Sequence, residues 1–181
     1  MAGKTARQAV ENFIAPIQLA LSCVTTAQIT RSWSDAQDRD HALTVANGDP
    51  FILQRKTGRG LQVRVLHNYR IVKAEGQRGP FKVKTTAYQY TLEDPDGHEI
   101  LSYQWHPRVP GGPVYPHLHL GAAARVGRSE VEKAHLPTGR VALEDFLWLV
   151  IEAFNVKPRR TDWETVLYRA RQKFAQWRTW E

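Results

Sequence analysis

The sequence predicts an α+β domain in which an antiparallel β-meander packs against one N-terminal helix and two C-terminal helices. Apolar residues follow helical spacing at both ends of the chain, whereas they alternate with polar residues between positions 51 and 120. The length of 181 residues suits one domain with its own core. We therefore predict a single domain over 1–181, with a helix at 1–22, a sheet of four to six strands at 51–120, and helices at 141–178.

The N-terminal helix is predicted from a single apolar stripe. Its members recur at helical spacing and are Val10, Phe13, Ile14, Ile17 and Leu21. Pro16 lies inside this stripe, so a kink or a break is expected there. Residues 23–50 show no clear period, although 42–45 fits a short strand.

The central sheet is predicted from period-two alternation. One face of the first long strand is apolar and contains Leu61, Val63, Val65, His67, Tyr69 and Ile71, with Gln62, Arg64, Asn68 and Arg70 on the other. Loops are expected at 76–80 and 107–116 and a tight turn at 94–97, because these stretches combine glycine with proline or aspartate. The short connections favour antiparallel pairing, and the last strand is expected at 115–120.

The C-terminal segment returns to helical spacing. Residues 141–154 are apolar nearly all round, which indicates a mostly buried helix. A second helix follows, with an apolar face that includes Val166, Leu167 and Ala170, and with Tyr168 and Gln172 on its wetter side.

Composition excludes several classes of protein. Cys23 is the only cysteine, so a disulfide framework and a cysteine-rich zinc site are excluded within one chain. No apolar run reaches about 18 residues, so no membrane partner is expected. The first ten residues lack the apolar core of a signal peptide, and a cytoplasmic location is the expectation.

Positive charge is concentrated in one segment. The chain carries a net charge of +7, yet residues 55–84 contain nine Lys or Arg against one acid. Such an excess attracts an anionic polymer, although a solvated basic surface is the plainer alternative. The candidate nucleic-acid contacts are Arg55, Lys56, Arg59, Arg64, Arg70, Lys73, Lys82 and Lys84.

Two histidines two residues apart are the strongest candidates for chemistry. His117 and His119 lie on a predicted strand, so both imidazoles point to the face opposite Leu118 and Leu120. Such a pair can bind a divalent metal (zinc, manganese or magnesium) or serve as acid and base on a phosphate ester. His106 and His135 are further candidate ligands. The alternative is two exposed polar histidines.

Arg140 is the candidate contact for a phosphate group. It is close in sequence to His135, and its planar fork can hold two phosphate oxygens. The alternative is an ion pair with Glu144, one helical turn further on.

Three known families use a histidine–apolar–histidine motif. The pair resembles that of HUH single-strand endonucleases and transposases, in which a tyrosine on a later helix is the nucleophile; Tyr168, followed by Gln172, would then have this role. The JAMM metalloprotease motif does not match, because Ser129 is further from the histidines than the serine of that motif and Glu132 replaces its aspartate. The HIT hydrolase pattern fails because residue 121 is glycine.

Another resemblance covers residues 99–155. The runs 103–107 (YQWHP), 115–121 (YPHLHLG) and 135–140 (HLPTGR), followed by a buried helix, are similar to small uncharacterised bacterial proteins and to TumE-type toxins of toxin–antitoxin pairs. The resemblance implies a small cytoplasmic protein that acts on or near nucleic acid and binds an antitoxin or other protein. Only His117 and His119 carry over from it.

Two functions therefore stay open, beside the further alternative of an HUH-like single-strand endonuclease. The first is a bacterial toxin-type or phage-defence protein that binds or cleaves nucleic acid, as a metal-dependent or histidine acid–base nuclease or phosphodiesterase. Its catalytic residues would be His117, His119, Arg140 and Tyr168. The second is a non-enzymatic binding or assembly domain in which the histidines are structural.

Overall fold

The computed structural model describes residues 2–74, 79–127 and 129–177, with only the backbone at 129, 132 and 177. It confirms the α+β class: one antiparallel sheet packs against an N-terminal helix and two C-terminal helices. The strands are β1 (Ala2–Gly3), β2 (Ile29–Arg31), β3 (Asp40–Val45), β4 (Phe51–Leu53), β5 (Leu61–Lys73), β6 (Phe81–Glu93), β7 (Glu99–Trp105), β8 (His117–Leu120) and β9 (Leu136–Pro137). The helices are α1 (Ala6–Leu21), α2 (Ser129–Glu132), α3 (Leu143–Ala153) and α4 (Trp163–Trp177).

The sheet is larger than predicted. Among the described residues it has nine strands in the order β2-β3-β5-β6-β7-β8-β9, with β1 paired to β6 and β4 paired to β5. The predicted range of 51–120 is therefore too narrow at both ends. The additional strands β1, β2 and β9 are two or three residues long, which is too short to show a period of two.

Helix boundaries also differ from the prediction. The helix predicted over 1–22 begins at Ala6, because Ala2 and Gly3 pair with β6 instead. The Thr5 hydroxyl caps the helix by accepting a hydrogen bond from the Gln8 N–H. Pro16 does not break α1, which runs on to Leu21 with Phe13 and Ile17 buried against the core. Residues 76–78 of the predicted 76–80 loop, and residue 178 at the end of the predicted C-terminal helices, lie outside the described residues.

The sheet has two chemically different faces. On β5, the six alternating residues from Leu61 to Ile71 are buried toward the helices, as predicted. Their neighbours in β6 and β7 include Tyr88, Tyr90 and Trp105, which join the same core. We call this side the helix face. The opposite side, called the polar face, carries Arg64, Asn68 and Arg70 on β5 and continues across β6, β7 and β8.

The C-terminal helices close the helix face. Phe146, Leu147 and Val150 of α3 are fully buried, as expected from the nearly continuous apolar run. Helix α4 packs against α1 and α3 and contributes Leu167 to the core. Within the described residues, no helix has the length and apolar character needed to cross a bilayer.

Candidate metal centre

Strand β8 places His117 and His119 on the polar face. In the β7–β8 register His119 is opposite Ser102 and His117 is opposite Gln104, and both of these side chains belong to that face. Leu118 and Leu120 pack against the core from the other side of the strand. The predicted side-by-side orientation of the two imidazoles is therefore confirmed.

A third imidazole reaches the pair through β9. His117 pairs with Pro137 and Leu118 with Leu136, so the residue before Leu136 is brought beside β8. The ring centroid of His135 lies 5.0 Å from that of His117 and 4.4 Å from that of His119, and the remaining pair is 4.9 Å apart. One ligand atom from each ring lies within 4.8 Å of the other two.

The three rings are buried to different degrees. His117 is buried, His119 is half-buried and His135 is exposed, so the group opens from the sheet toward solvent. The geometry suits an ion that is held by the protein on one side and reached from solvent on the other. Zinc bonds of about 2.0–2.1 Å imply nitrogen–nitrogen distances of roughly 3.3 Å, so binding would draw the rings inward.

The backbone orients His117 for metal binding. Its Nδ1 lies 2.9 Å from the carbonyl oxygen of Tyr115. A carbonyl can only accept, so Nδ1 carries the proton and Nε2 keeps its lone pair. This hydrogen bond from the non-ligating nitrogen to a backbone carbonyl is the usual support for a metal-bound histidine.

The surroundings also favour the neutral imidazole of His119. Burial lowers the pKa of His119, and positive charge on His135 or His117 lowers it further. Only a neutral ring nitrogen can bind a metal, so burial and clustering act in the same direction.

His106 is near the site but outside the ligand group. Burial lowers the pKa of His106, and charge on His117 adds to the effect, which places the two rings within electrostatic range. Within the part of the chain that the structure describes, the ligand group nevertheless consists of His117, His119 and His135. Three of the four predicted metal ligands are therefore brought together.

The ligand count leaves coordination positions open. Among the described residues no aspartate, glutamate or cysteine joins the three histidines. Structural zinc sites usually have four protein ligands, whereas catalytic sites have three and keep a position for water or substrate. The three ligands found among the described residues match the second kind in number.

Arg140 and Tyr168 are not brought to the histidines. The Arg140 guanidinium lies 3.6 Å from the centroid of the Trp105 ring, which belongs to the helix face. Tyr168 is on α4, which packs on the helix side, and its side chain points largely to solvent. The tyrosine-and-histidine arrangement of the HUH enzymes is therefore not assembled here, because the sheet separates its parts.

The predicted basic region does not form one surface. Arg64, Arg70, Lys82 and Lys84 share the polar face with the histidines. The others do not join them: Arg55 and Lys56 hydrogen-bond the connection between α3 and α4, Arg59 pairs with Asp96 at a hairpin end, and Lys73 has the strand parity of the helix face. Ion pairs with Glu93 and Asp40 further neutralise Arg64 and Arg70.

Several contributors to the site were missed. A hydrogen-bonded group lies beside β8, in which Gln104 donates to the Ser102 hydroxyl and Ser102 bonds the Thr91 hydroxyl at 3.0 Å. The period-two rule applied to 99–105 would have placed Ser102 and Gln104 on the histidine face. The role of Tyr115 could not have been found, because it acts through its carbonyl group.

Burial and spacing in this chain thus define a site of three histidines that is half open to solvent. The identification rests on the geometry of the site, because comparison with other proteins adds nothing to it. The chain matches no model of a known protein family, no curated protein and no solved structure.

Proposed function

We propose that the chain is a zinc-dependent phosphodiesterase that acts on nucleic acid. The observation that carries the proposal is the convergence of His117, His119 and His135, whose ligand atoms lie within 4.8 Å of one another. Zinc held by three imidazoles lowers the pKa of a bound water to near 7 and supplies hydroxide for attack on an ester.

The ligand type favours zinc among the divalent metals. Magnesium prefers oxygen ligands and keeps several waters, whereas imidazole suits zinc and the later transition metals. Manganese is intermediate and binds such sites more weakly than zinc. Hydrolysis also needs no redox change, which fits a redox-inert ion.

Positive charge on the polar face favours an anionic substrate. Lys82 and Lys84 lie on the same side of the sheet as the histidines and form no ion pair with any described residue. Cations and a metal-bound hydroxide on one surface are what an enzyme acting on phosphodiesters needs, because they attract the chain and hold its charge. The resemblance to TumE-type toxins points to the same class of substrate.

Metal analysis of purified protein is the first test. We expect about one zinc per chain in the wild type, and loss of that zinc in His117→Ala, His119→Ala and His135→Ala. His98→Ala is the matched control, because His98 is an exposed histidine that lies in a turn beside Asp94. Protein that binds no metal at micromolar concentrations would exclude the zinc centre.

Activity separates the enzyme from a binding domain. We expect the zinc-loaded protein to cleave a labelled RNA or DNA strand, and chelation or His119→Ala to abolish cleavage while the His98→Ala protein stays active. Stoichiometric zinc without cleavage of either polymer would instead favour the non-enzymatic binding domain. Induced expression in bacteria tests the toxin role: growth should arrest with the wild type and not with His119→Ala.

A further inference from the structure

A cationic cluster lies on the polar face, away from the histidines. Asp40 of β3 is opposite Arg70 of β5, and Arg70 is opposite Lys84 of β6. Arg70 holds the Asp40 carboxylate through Nε at 2.6 Å and Nη2 at 2.9 Å. Arg108, from the loop between β7 and β8, reaches the same carboxylate at 3.2 Å. Two guanidinium groups therefore hold a single carboxylate, and Lys84 lies beside Arg70 on the next strand.

Several N–H donors of the two arginines in this cluster are not used on Asp40. Arg70 uses Nε and Nη2 on Asp40, and Arg108 uses Nη1, although each guanidinium has five N–H groups. The side chains of Asp40 and Arg108 are 52% and 59% exposed, so an anion can reach the remaining donors. Exposed ion pairs are worth little, and a phosphate can compete for the same guanidinium groups at small cost.

The distance to the metal centre sets the length of the ligand. Cross-strand partners form one row that runs from Leu66 of β5 through Gln89 of β6 and Gln104 of β7 to His117 of β8. Leu66 and His117 are therefore three strand spacings apart. Arg70 is four residues further along β5. With strands about 4.8 Å apart and a rise of about 3.3 Å per residue, the cluster is roughly 20 Å from the histidines.

We propose that Arg70, Arg108 and Lys84 form a remote phosphate subsite that selects a phosphodiester chain long enough to reach the metal centre. The inference rests on the proposed function and adds the substrate's length and mode of recognition. A span of roughly 20 Å corresponds to about three nucleotides of an extended strand and up to about six at the duplex rise of 3.4 Å. A mononucleotide or dinucleotide would occupy the metal centre alone.

Recognition at this subsite would be independent of base sequence. Along the cross-strand rows between the cluster and the histidines, the described polar-face residues of β5 and β6 are amides, hydroxyls and aliphatic groups, and the exposed Tyr115 ring lies beside His117 at the metal centre. Phosphate contacts position a chain without reading its bases. The ligand class is therefore a single nucleic-acid strand held by its backbone.

Fluorescence anisotropy tests the subsite with labelled oligothymidylates and oligouridylates of two, four, eight and twelve nucleotides, made with cleavage-resistant phosphorothioate linkages, and with a duplex of equal length as a third arm. In the wild type we expect affinity to rise steeply up to about six nucleotides and slowly thereafter. Arg108→Gln should weaken binding of the eight-nucleotide strand about tenfold and reduce the salt slope by about 1, while dinucleotide binding is unchanged. Asp40→Asn should act oppositely and tighten binding of the longer strands, because the competing carboxylate is lost.

Arg160→Gln is the matched control, since Arg160 also pairs with an exposed aspartate, Asp162, but far from this face. Zinc content and circular dichroism show that each variant is folded. Equal affinity of Arg108→Gln and wild type for all lengths would overturn the subsite. If zinc-dependent, His119-dependent cleavage persisted in that case, the proposed function would stand. Tighter binding to the duplex than to single strands would also overturn the proposed subsite.

Discussion

His67 and His117 are both buried strand histidines, yet only one belongs to a candidate site. Their residues are 5% and 3% exposed, so burial does not distinguish them. His67, on the helix face, has both ring nitrogens partnered, with Nδ1 3.0 Å from the Tyr90 hydroxyl and Nε2 3.0 Å from the Thr85 hydroxyl. His117, on the polar face, has Nδ1 bonded to the Tyr115 carbonyl, and its ring lies 4.9 Å from that of His119 and 5.0 Å from that of His135.

The difference lies in the second ring nitrogen, for which a protein hydrogen-bond partner among the described residues is found in His67 but not in His117. A histidine with two hydrogen bonds is a satisfied polar group that contributes to packing, and a metal could bind it only by breaking one of those bonds. A histidine with one hydrogen bond from its non-ligating nitrogen is already oriented as a ligand. The two faces of the sheet thus use the same residue type for structure and for chemistry.

The largest contrast is expected when each histidine is removed. His67→Ala should lower the free energy of unfolding by about 3 kcal/mol, because it leaves a cavity and two buried hydroxyls without partners. His119→Ala should change the stability of the metal-free protein by less than about 0.5 kcal/mol and weaken zinc binding at least about 100-fold. Urea denaturation and competition with a fluorescent zinc chelator measure the two quantities.

Zinc affinity of a folded His67 variant is the control for this contrast. Substitution by glutamine retains polar atoms near Tyr90 and Thr85, so His67→Gln should fold well enough to be assayed. Its zinc affinity should equal that of the wild type. A large loss of affinity in His67→Gln would show that the two faces are not independent.

The free energy of unfolding should depend on pH through His67, which is buried on the helix face. Burial lowers the pKa of His67 to about 4, from an ordinary value of 6.5. Since the folded state binds the proton more weakly than the unfolded state, this contribution is complete above pH 6.5 and is lost as the pH falls toward 4. Because Glu144 contributes with the opposite sign in the same pH range, the quantity to compare is the difference between wild type and His67→Gln. The stability of the metal-free wild type relative to His67→Gln should fall by about 3 kcal/mol between pH 7 and pH 4, as measured by urea denaturation.

Glu144 should give the opposite slope. Its carboxyl is buried at the start of α3, and burial raises its pKa to about 7 from 4.5. The folded state then binds the proton more tightly, so stability falls as the pH rises from 4.5 to 7 and stays reduced above that. Glu144→Gln should therefore be more stable than the wild type by up to about 3 kcal/mol at pH 8.5 and nearly equal to it at pH 4.5.

The exposed Glu152 on the same helix provides the control for this prediction. Glu152→Gln removes the same charge from α3 without a burial effect, so its stability should track that of the wild type within about 0.5 kcal/mol at both pH values. An equal gain at pH 8.5 in both variants would mean that net charge, and not burial of Glu144, is responsible.

The faces were predictable to different extents. The alternation over 61–71 placed His67 and Arg64 on opposite sides correctly, because period two needs only the strand itself. The pairing of His117 with His119 followed from the same rule. His135 could be suspected but not placed, since its position depends on β9, a two-residue strand whose pairing is set by tertiary contacts.

Charge was the least predictable property. The residues from Arg55 to Lys84 looked like one basic region because they are close in sequence. Their partners come from distant segments: Asp96 for Arg59, Glu93 for Arg64 and Asp40 for Arg70. Arg108, outside that segment, joins the cluster only through the fold. Surface charge is a property of the assembled sheet, and counting along the chain does not give it.

The smallest predicted effect concerns the hydroxyl pair beneath the metal centre. Thr91 and Ser102 are 4% and 0% exposed, and their hydroxyls are 3.0 Å apart on the polar face, in the row that ends at His119. Thr91→Val and Ser102→Ala should each lower the free energy of unfolding by about 1 kcal/mol, because each leaves the other hydroxyl buried with fewer partners. The double variant should cost less than the sum, with a coupling energy of about 1 kcal/mol in a double-mutant cycle. Zinc affinity should change less than about threefold in all three variants if the pair only supports the sheet, whereas a larger loss in Ser102→Ala alone would mean that this hydroxyl orients His119.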